Sequence, residues 1–289
     1  MGAFLIYVHR YIDRSPYWYT TKYIRKFPQE AKVESVALNS TLKRMEEQCE
    51  LQTVEFAMFI KGQSPYKASF ALLASLLKPE VACEHLIRFG SKHDGGHWIC
   101  NPHTITRNPC VIYSVGVDDK LSFEREFQSF ASNKCSLYVF DKSNHNSETK
   151  TKIEALNGQF EKVTVEEIAS RDDPRRKGLS DLFIEHSYRS IDILKVDQKE
   201  NVQELVGSVA GLYDIHHIVA THSGRPEQIA IYMSTMSDLH YSLYSWEFDH
   251  RQPNTLTTSH IANRHLNASD VNLLIGHFYQ IQDFMNNVY

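Results

Sequence analysis

The chain has 289 residues, of which 42% are hydrophobic and 23% are charged, and its formal net charge at pH 7 is -4. This composition belongs to a globular protein with a substantial core, and it excludes a disordered or fibrous chain. The small negative charge offers no broad basic surface, so we expect a small-molecule or protein substrate and no nucleic-acid partner.

The first 80 residues are predicted to form an N-terminal helical extension. The apolar run at residues 3–8 is too short to span a bilayer, so we expect no integral membrane segment. Asn39 as a cap predicts a helix to about residue 61. Ser64 followed by Pro65 predicts a second helix that ends before Pro79.

The cysteines leave the cellular compartment open. There are five of them and no C-x-x-C pair, which argues against a zinc ribbon or a thioredoxin-like site: Cys49, Cys83, Cys100, Cys110 and Cys135. Free or buried thiols are the first expectation, and one or two disulfides are the alternative. Two glycosylation sequons, at 39–41 and 267–269, would be usable in a secreted chain. Both the cytoplasm and the secretory lumen therefore stay possible.

From residue 110 onward, short β-branched or aromatic runs alternate with amphipathic helical stretches. This alternation is typical of βαβ units on a parallel sheet and predicts an α/β fold. We predict successive strands at residues 111–115, 136–140, 160–163, 191–196 and 215–221. Residues 240–248 and 256–262 are predicted as a closing antiparallel pair, and residues 269–285 as a final helix.

The carboxyl ends of the first two predicted strands favour a nucleotide-type cofactor, because ligands bind beyond these ends in an open parallel sheet. Gly116 would let the backbone approach a ligand closely, although a lone glycine here is also typical of a plain turn. Asp141 is placed to accept hydrogen bonds from ribose hydroxyls, and its alternative role is a cap. The 25 residues from one to the other match a loop, a helix and a strand.

The strand predicted at 191–196 carries unusual charge for a central strand. Alternation places Lys195 and Asp197 on one face, close to the mouth of the site. There they would bind charged groups of the cofactor or orient a substrate hydroxyl. The alternative is a salt bridge at a strand edge.

Fifteen histidines raise the question of a metal site. His216, His217 and His222 are closest together, but no H-E-x-x-H or comparable ligand set is present. We therefore expect no metal and assign these residues structural or surface roles. His222, at the end of its strand, is kept as a site candidate.

Several segments resemble FkbM-type and methyltransferase-like domains. They are D-G-G-H-W-I-C at 94–100, P-C-V-I-Y-S-V-G at 109–116, S-F-E at 122–124, Y-V-F-D at 138–141 and I-D-I-L-K-V-D at 191–197. The last is the most specific, since it is similar to the family's I-D-[VI]-L-K-[MIV]-D segment. The resemblance spans roughly residues 83–265. It implies a Rossmann-like, doubly wound, mostly parallel seven-stranded sheet, with residues 81–289 as a methyltransferase-like domain.

The resemblance also implies a cofactor and a reaction. The cofactor is S-adenosylmethionine (SAM), and the residues expected to bind it are Ser114, Val115, Gly116, Val117 and Asp141. The family's usual reaction is O-methylation, in which a substrate oxygen attacks the sulfonium methyl in line, so that alignment and a base are needed. Lys195, Asp197 or His222 is expected to orient or deprotonate the acceptor.

The chain departs from the family pattern in three places. One is A-T-H at 220–222, where the family's fifth strand often ends with an acidic residue before a histidine. Asp118 stands where the family commonly has a second glycine. The family's D-I-E-G-A-E continuation after the fourth strand reads D-Q-K-E-N-V here, so Lys199 and Val202 replace its two later carboxylates. Three hypotheses follow: a SAM-dependent O-methyltransferase, a catalytically inactive methyltransferase-like binding domain, and a nucleotide-dependent oxidoreductase. The third lacks a G-x-G-x-x-G turn.

Overall fold

The computed structural model describes residues 73, 77–92, 94–198, 201–249, 252, 255–266 and 271–273. The helices predicted in the N-terminal extension lie outside these residues, apart from Leu73, which is helical and buried. The domain boundary at residue 80 therefore stays a prediction. No helix in the described ranges is long and apolar enough to cross a membrane.

The strands and helices alternate along most of the described chain. The strands are β1 (Val81–Cys83), β2 (Leu86–Phe89), β3 (His97–Cys100), β4 (Val111–Val115), β5 (Ser136–Asp141), β6 (Gly158–Lys162), β7 (Thr164–Glu166), β8 (Arg176–Gly178), β9 (Ser190–Val196), β10 (Asp214–Ser223), β11 (Tyr241–Phe248), β12 (Thr255–Ala262) and β13 (Val271–Leu273). The α-helices are α1 (Pro102–Ile105), α2 (Ser122–Phe130), α3 (Ser147–Ala155), α4 (Leu179–Glu185), α5 (Val202–Ala210) and α6 (Pro226–Asp238). A 3-10 helix, Asn263–His265, follows β12.

The central sheet has seven strands in the order β11-β12-β10-β9-β4-β5-β6. The pairs from β10 to β6 are parallel, and β12 runs antiparallel to both β10 and β11. This confirms the predicted Rossmann-like, mostly parallel sheet. Because β4 has β5 on one side and β9 on the other, the strand order reverses at β4, and a ligand is expected beyond the carboxyl ends there.

Helices cover both faces of the sheet, so the central strands are buried on both sides. On one face Ile112 and Ile193 pack with Phe123 and Phe127 of α2, and all four side chains are fully buried. Phe130, at the end of α2, is 41% exposed. The other face packs under α4, α5 and α6.

Two parts of the predicted secondary structure need correction. The third sheet strand, predicted at 160–163, is β6 at Gly158–Lys162. Residues 271–273, predicted as part of a final helix, form β13 and pair antiparallel with β1. Pairing with the β1 backbone therefore overrides the local helical periodicity at these three residues. The rest of that predicted helix lies outside the described residues.

Two disulfides connect elements around the sheet, which settles the number that the sequence left open among the described cysteines. One joins Cys83 of β1 to Cys100 of β3, with the Cα atoms 5.4 Å apart. The other joins Cys110 and Cys135, which directly precede β4 and β5, with the Cα atoms 4.3 Å apart.

Candidate active site

Lys195 lies at the centre of a buried charged network beyond the middle of the sheet. Its Nζ is 2.5 Å from Asp197 Oδ2 and 3.1 Å from Oε1 of Glu124, which α2 supplies. The side chains of Lys195 and Glu124 are completely buried. Burial lowers the pKa of Lys195, but the attraction of Asp197 and Glu124 outweighs it and holds that pKa above its usual range.

Asp197 joins this network to two further side chains. Its Oδ1 is 2.8 Å from His97 Nε2 and accepts a hydrogen bond of 2.6 Å from the Thr221 hydroxyl. Burial raises the pKa of Asp197, but Lys195 and His97 hold it well below its usual range. Asp197 is therefore an ionised carboxylate at neutral pH. Lys195 and Asp197 form a direct salt bridge, which the sequence left open as the alternative to a role in binding.

His97 begins β3 and reaches Asp197 from the hairpin formed by β2 and β3. Its side chain is completely buried, and its Nδ1 has no hydrogen-bond partner among the described residues. Gly95 lies directly over Asp197 with a φ of 67°, and a Cβ at this position would come within 2.9 Å of Asp197 Oδ2. The hairpin thus closes over the charged network, and only glycine fits where it does so.

Three members of this network were missed as site residues by sequence reasoning: His97, Glu124 and Thr221. His97 and Glu124 both lie in segments that carry the family resemblance, at 94–100 and 122–124. Their position in these two segments was the signal that could have identified them. Thr221 stands where the family often has an acidic residue before its histidine, and this departure was the signal for it.

His222 is separate from the network. Its Nε2 is 2.9 Å from Thr258 Oγ1, and its ring packs 4.3 Å from that of Tyr232. Burial lowers the pKa of His222 to about 3, so its imidazole is neutral. Along β10, Thr221 faces Asp197 and the next residue faces away. The structure therefore does not bring His222 together with the other two predicted catalytic residues.

The end of β4 and the loop after it contain four of the predicted cofactor-binding residues. Ser114 is buried beside Lys195 in the β4–β9 ladder, and its hydroxyl has no partner within the described part of the chain. The side chains of Val115 and Val117 are packed in the core, so only their backbone is available to a ligand. Gly116 has a φ of 76°, and a Cβ there would come within 2.9 Å of the Gln198 backbone nitrogen.

Asp118 keeps a glycine-like backbone where the family has a second glycine. Its φ is 48°, and that of Asp119 is 59°, so two successive aspartates are left-handed. Aspartate is among the few non-glycine residues that tolerate this region. The substitution therefore preserves the course of the loop while adding a negative charge.

Asp141 lies at the end of β5, and it is the residue that the sequence predicts to bind the ribose. Its Oδ2 accepts the Asp118 backbone N–H at 2.9 Å, its Oδ1 accepts that of Ser143 at 2.8 Å, and His145 Nε2 lies 3.5 Å away. A carboxylate has about four lone-pair sites, so two remain for other donors. A cavity of about 480 Å³ is lined by Lys142, which follows Asp141 in the chain, and by Lys162, Val163, Thr164, Glu166, Asp173, Arg175 and Arg176.

The strand order and the polar groups at these strand ends define a Rossmann-like ligand-binding domain. Residues 35–263 match the family described as a methyltransferase domain, and the chain belongs to that family. The methyltransferase class predicted from the sequence is thereby confirmed. The FkbM subtype remains a resemblance.

Solved structures similar to this chain include methyltransferases from several microorganisms. Mycoplasma capricolum TrmK with bound S-adenosyl-homocysteine is 11% identical over 56% of this chain and 67% of its own, with a TM-score of 0.32. The precorrin-6y C5,15-methyltransferase of Geobacter metallireducens is 10% identical over 56% and 86%, with a TM-score of 0.34. No curated protein matches the chain significantly.

SAM is the cofactor of this class, as the sequence analysis predicted, and the residues present fit it. Asp141 is buried and retains lone-pair sites that ribose hydroxyls can use. The partnerless hydroxyl of Ser114 lies buried at the end of the neighbouring strand. A buried hydroxyl without a partner is unfavourable unless a ligand or water completes it.

Proposed function

We propose that this domain transfers the methyl group of SAM to an oxygen atom of a small-molecule or protein acceptor. The observation that supports an oxygen acceptor is the pair formed by His97 and Asp197, 2.8 Å apart. A hydroxyl is a weak nucleophile until it loses its proton, so transfer to oxygen benefits from a nearby base.

The proposed base is His97. Ionised Asp197 accepts the hydrogen bond from Nε2–H and keeps the proton on that nitrogen, so Nδ1 is the acceptor that a substrate hydroxyl would have to reach, and it is buried in the closed hairpin. Lys195 and Thr221 hold Asp197 ionised and in position, so Lys195 acts through Asp197 rather than on the substrate. The bound cofactor supplies an electrophilic methyl group on its sulfonium. Ser114 and Asp141, together with the backbone of residues 115–117, are the proposed cofactor contacts.

His97→Gln tests the proposed base. Glutamine can still donate a hydrogen bond to Asp197 but cannot accept a proton, so we expect transfer of tritiated methyl to acceptors in extracts to fall by about 10²–10⁴-fold. SAM affinity measured by calorimetry should stay unchanged. His103→Gln, a histidine on α1 outside the network, is the matched control. Undiminished transfer by a folded His97→Gln protein would rule out this role.

Asp141→Asn tests the cofactor site. The asparagine keeps the size of the side chain but replaces one acceptor oxygen by a donor, so we expect SAM to bind about tenfold more weakly or worse, since a lost charge-assisted hydrogen bond costs about 1.5–3 kcal/mol. Asp172→Asn, at an exposed aspartate, is the control. Equal affinity of the two variants for SAM would contradict the assignment of Asp141.

A second candidate function is a methyltransferase-like domain that binds without turnover. It is favoured by the internal pairing of the network, in which Lys195 and Asp197 already neutralise each other. Calorimetry separates the candidates: SAM binding with no label transfer to any acceptor supports the inactive domain. Heat with NAD and none with SAM would instead support the oxidoreductase.

A further inference from the structure

Two histidines and a carboxylate meet at the opposite edge of the sheet from Asp197. Asp214 and His216 lie two residues apart at the start of β10 and therefore on the same face. His265 ends the 3-10 helix that follows β12. Since β9 and β10 are parallel, this cluster lies at their amino ends, and the network around Asp197 lies at their carboxyl ends.

The three side chains lie within reach of one metal ion, although the rings of His216 and His265 pack with their centroids 3.6 Å apart. His265 Nε2 is 2.6 Å from Asp214 Oδ1, and His216 Nε2 is 3.9 Å from Asp214 Oδ2. One ligand atom from each residue can be chosen so that all lie within 4.8 Å of one another. Bonds of about 2.0–2.2 Å to a shared ion place ligand atoms roughly 3–4 Å apart, so the rings of His216 and His265 must rotate away from each other to bind one ion.

Asp192 contacts the ring of His216 on the side away from the cluster. Oδ1 of Asp192, on the neighbouring strand β9, lies 3.6 Å from His216 Nδ1, the ring nitrogen away from the cluster. The other oxygen of Asp192 accepts the Val111 backbone N–H at 2.8 Å, which fixes the carboxylate. Metal-binding histidines commonly direct their second nitrogen at such a carboxylate, because it sets the tautomer and orients the ring.

Access and charge are compatible with a cation. The side chains of Asp214, His216 and His265 are 42%, 26% and 15% exposed, so an ion can reach them. Arg264 donates to Asp214 Oδ1 at 2.6 Å and opposes a cation at that oxygen. Oδ2 faces His216 and accepts a long hydrogen bond of 3.4 Å from the Ser190 hydroxyl, so Arg264 anchors the carboxylate by the other oxygen.

We propose that Asp214, His216 and His265 bind a divalent transition-metal ion, with zinc as the best match to two imidazoles and one carboxylate. His265 exchanges its hydrogen bond with Asp214 for a bond to the ion. The ion then fastens the segment after β12 to the starts of β9 and β10. The sequence predicted no metal because the ligands come from separate segments and form no local motif.

The test is zinc titration of the full chain after chelator treatment, in competition with a chromophoric chelator. We expect one zinc ion to bind per chain with these four residues intact. His216→Gln and His265→Gln should each weaken binding by more than 100-fold. Asp192→Asn should weaken it by about 10- to 100-fold, as is typical for an outer carboxylate partner. His240→Asn, an exposed histidine with a φ of 62° that asparagine tolerates well, should bind as the wild type does.

Thermal unfolding keeps this test independent of folding defects. Zinc should raise the unfolding temperature of the wild type and of His240→Asn, and it should leave that of folded His216→Gln and His265→Gln unchanged. Absence of zinc binding by the wild type would overturn the proposal. So would binding of equal strength by the His216→Gln and His265→Gln proteins.

Discussion

The two ends of the central strands, here called the carboxyl edge and the amino edge of the sheet, carry the same residue types in opposite surroundings. At the carboxyl edge, His97, Glu124 and Lys195 are completely buried and the Asp197 side chain is 11% exposed. At the amino edge, the cluster of Asp192, Asp214, His216 and His265 is 15–42% exposed. Both edges combine aspartate with histidine and a basic residue. The two groups differ in the exposure of their side chains to water.

This difference decides what each group of charges can do. In the closed network every charge depends on a particular partner, because the effective dielectric is low and an unpaired charge is expensive. The network is therefore suited to holding one carboxylate and one imidazole in fixed orientations. The open cluster is screened by solvent, so its partners can be exchanged at small cost, as capture of an ion requires.

Lys195→Met is expected to have the largest effect on stability, because it removes the cation of the buried network. Methionine is close to lysine in size, so the substitution removes the charge and leaves Glu124 and Asp197 buried without a cation. Breaking a buried pair in this way costs about 3–5 kcal/mol. Urea unfolding at pH 7 should show this loss. Lys152→Met is the control, because Lys152 pairs with Glu148 on an exposed helix surface and should change stability little.

The effect of Lys195→Met should also depend on pH. Without Lys195, burial raises the folded-state pKa of Asp197 above that of the unfolded chain, so the variant loses stability as pH rises through it. In the wild type the pKa of Asp197 is lowered, and its contribution persists until the pH falls below about 4. The stability difference should therefore narrow from pH 7 toward pH 5. A cost below about 1 kcal/mol at pH 7 would contradict the importance of the buried network.

The fold was largely predictable from the sequence because its signals are local. Alternating apolar runs identified the seven sheet strands, and the spacing from Gly116 to Asp141 matched one βαβ unit. The β2–β3 hairpin and the β1–β13 pair were not predictable, since strands of three or four residues carry no usable periodicity. Their pairing depends on contacts between distant parts of the chain.

The site was predictable only where chemistry and strand position coincide. Lys195 and Asp197 stood out because charge is rare on a central strand, and the structure brings them together. His222 follows the same strand-end logic, yet alternation turns it toward Thr258. The partners of Asp197 come from β3 and β10, and the ligands at the amino edge also come from separate segments. The spacing of residues along one sequence does not show which distant segments come into contact.

His265→Gln, measured in the absence of metal, is expected to have the smallest effect on stability. Glutamine can still donate a hydrogen bond to Asp214, and Arg264 continues to pair with the same carboxylate. We therefore expect the free energy of unfolding of chelator-treated protein to fall by about 1 kcal/mol or less, as is usual for a solvent-accessible pair. Urea unfolding of the wild type and the variant, side by side, measures it. A cost approaching that of Lys195→Met would mean that the cluster is a rigid structural element like the buried network. A small cost means that His265 is free to leave Asp214, which it must do for an ion to bind between them.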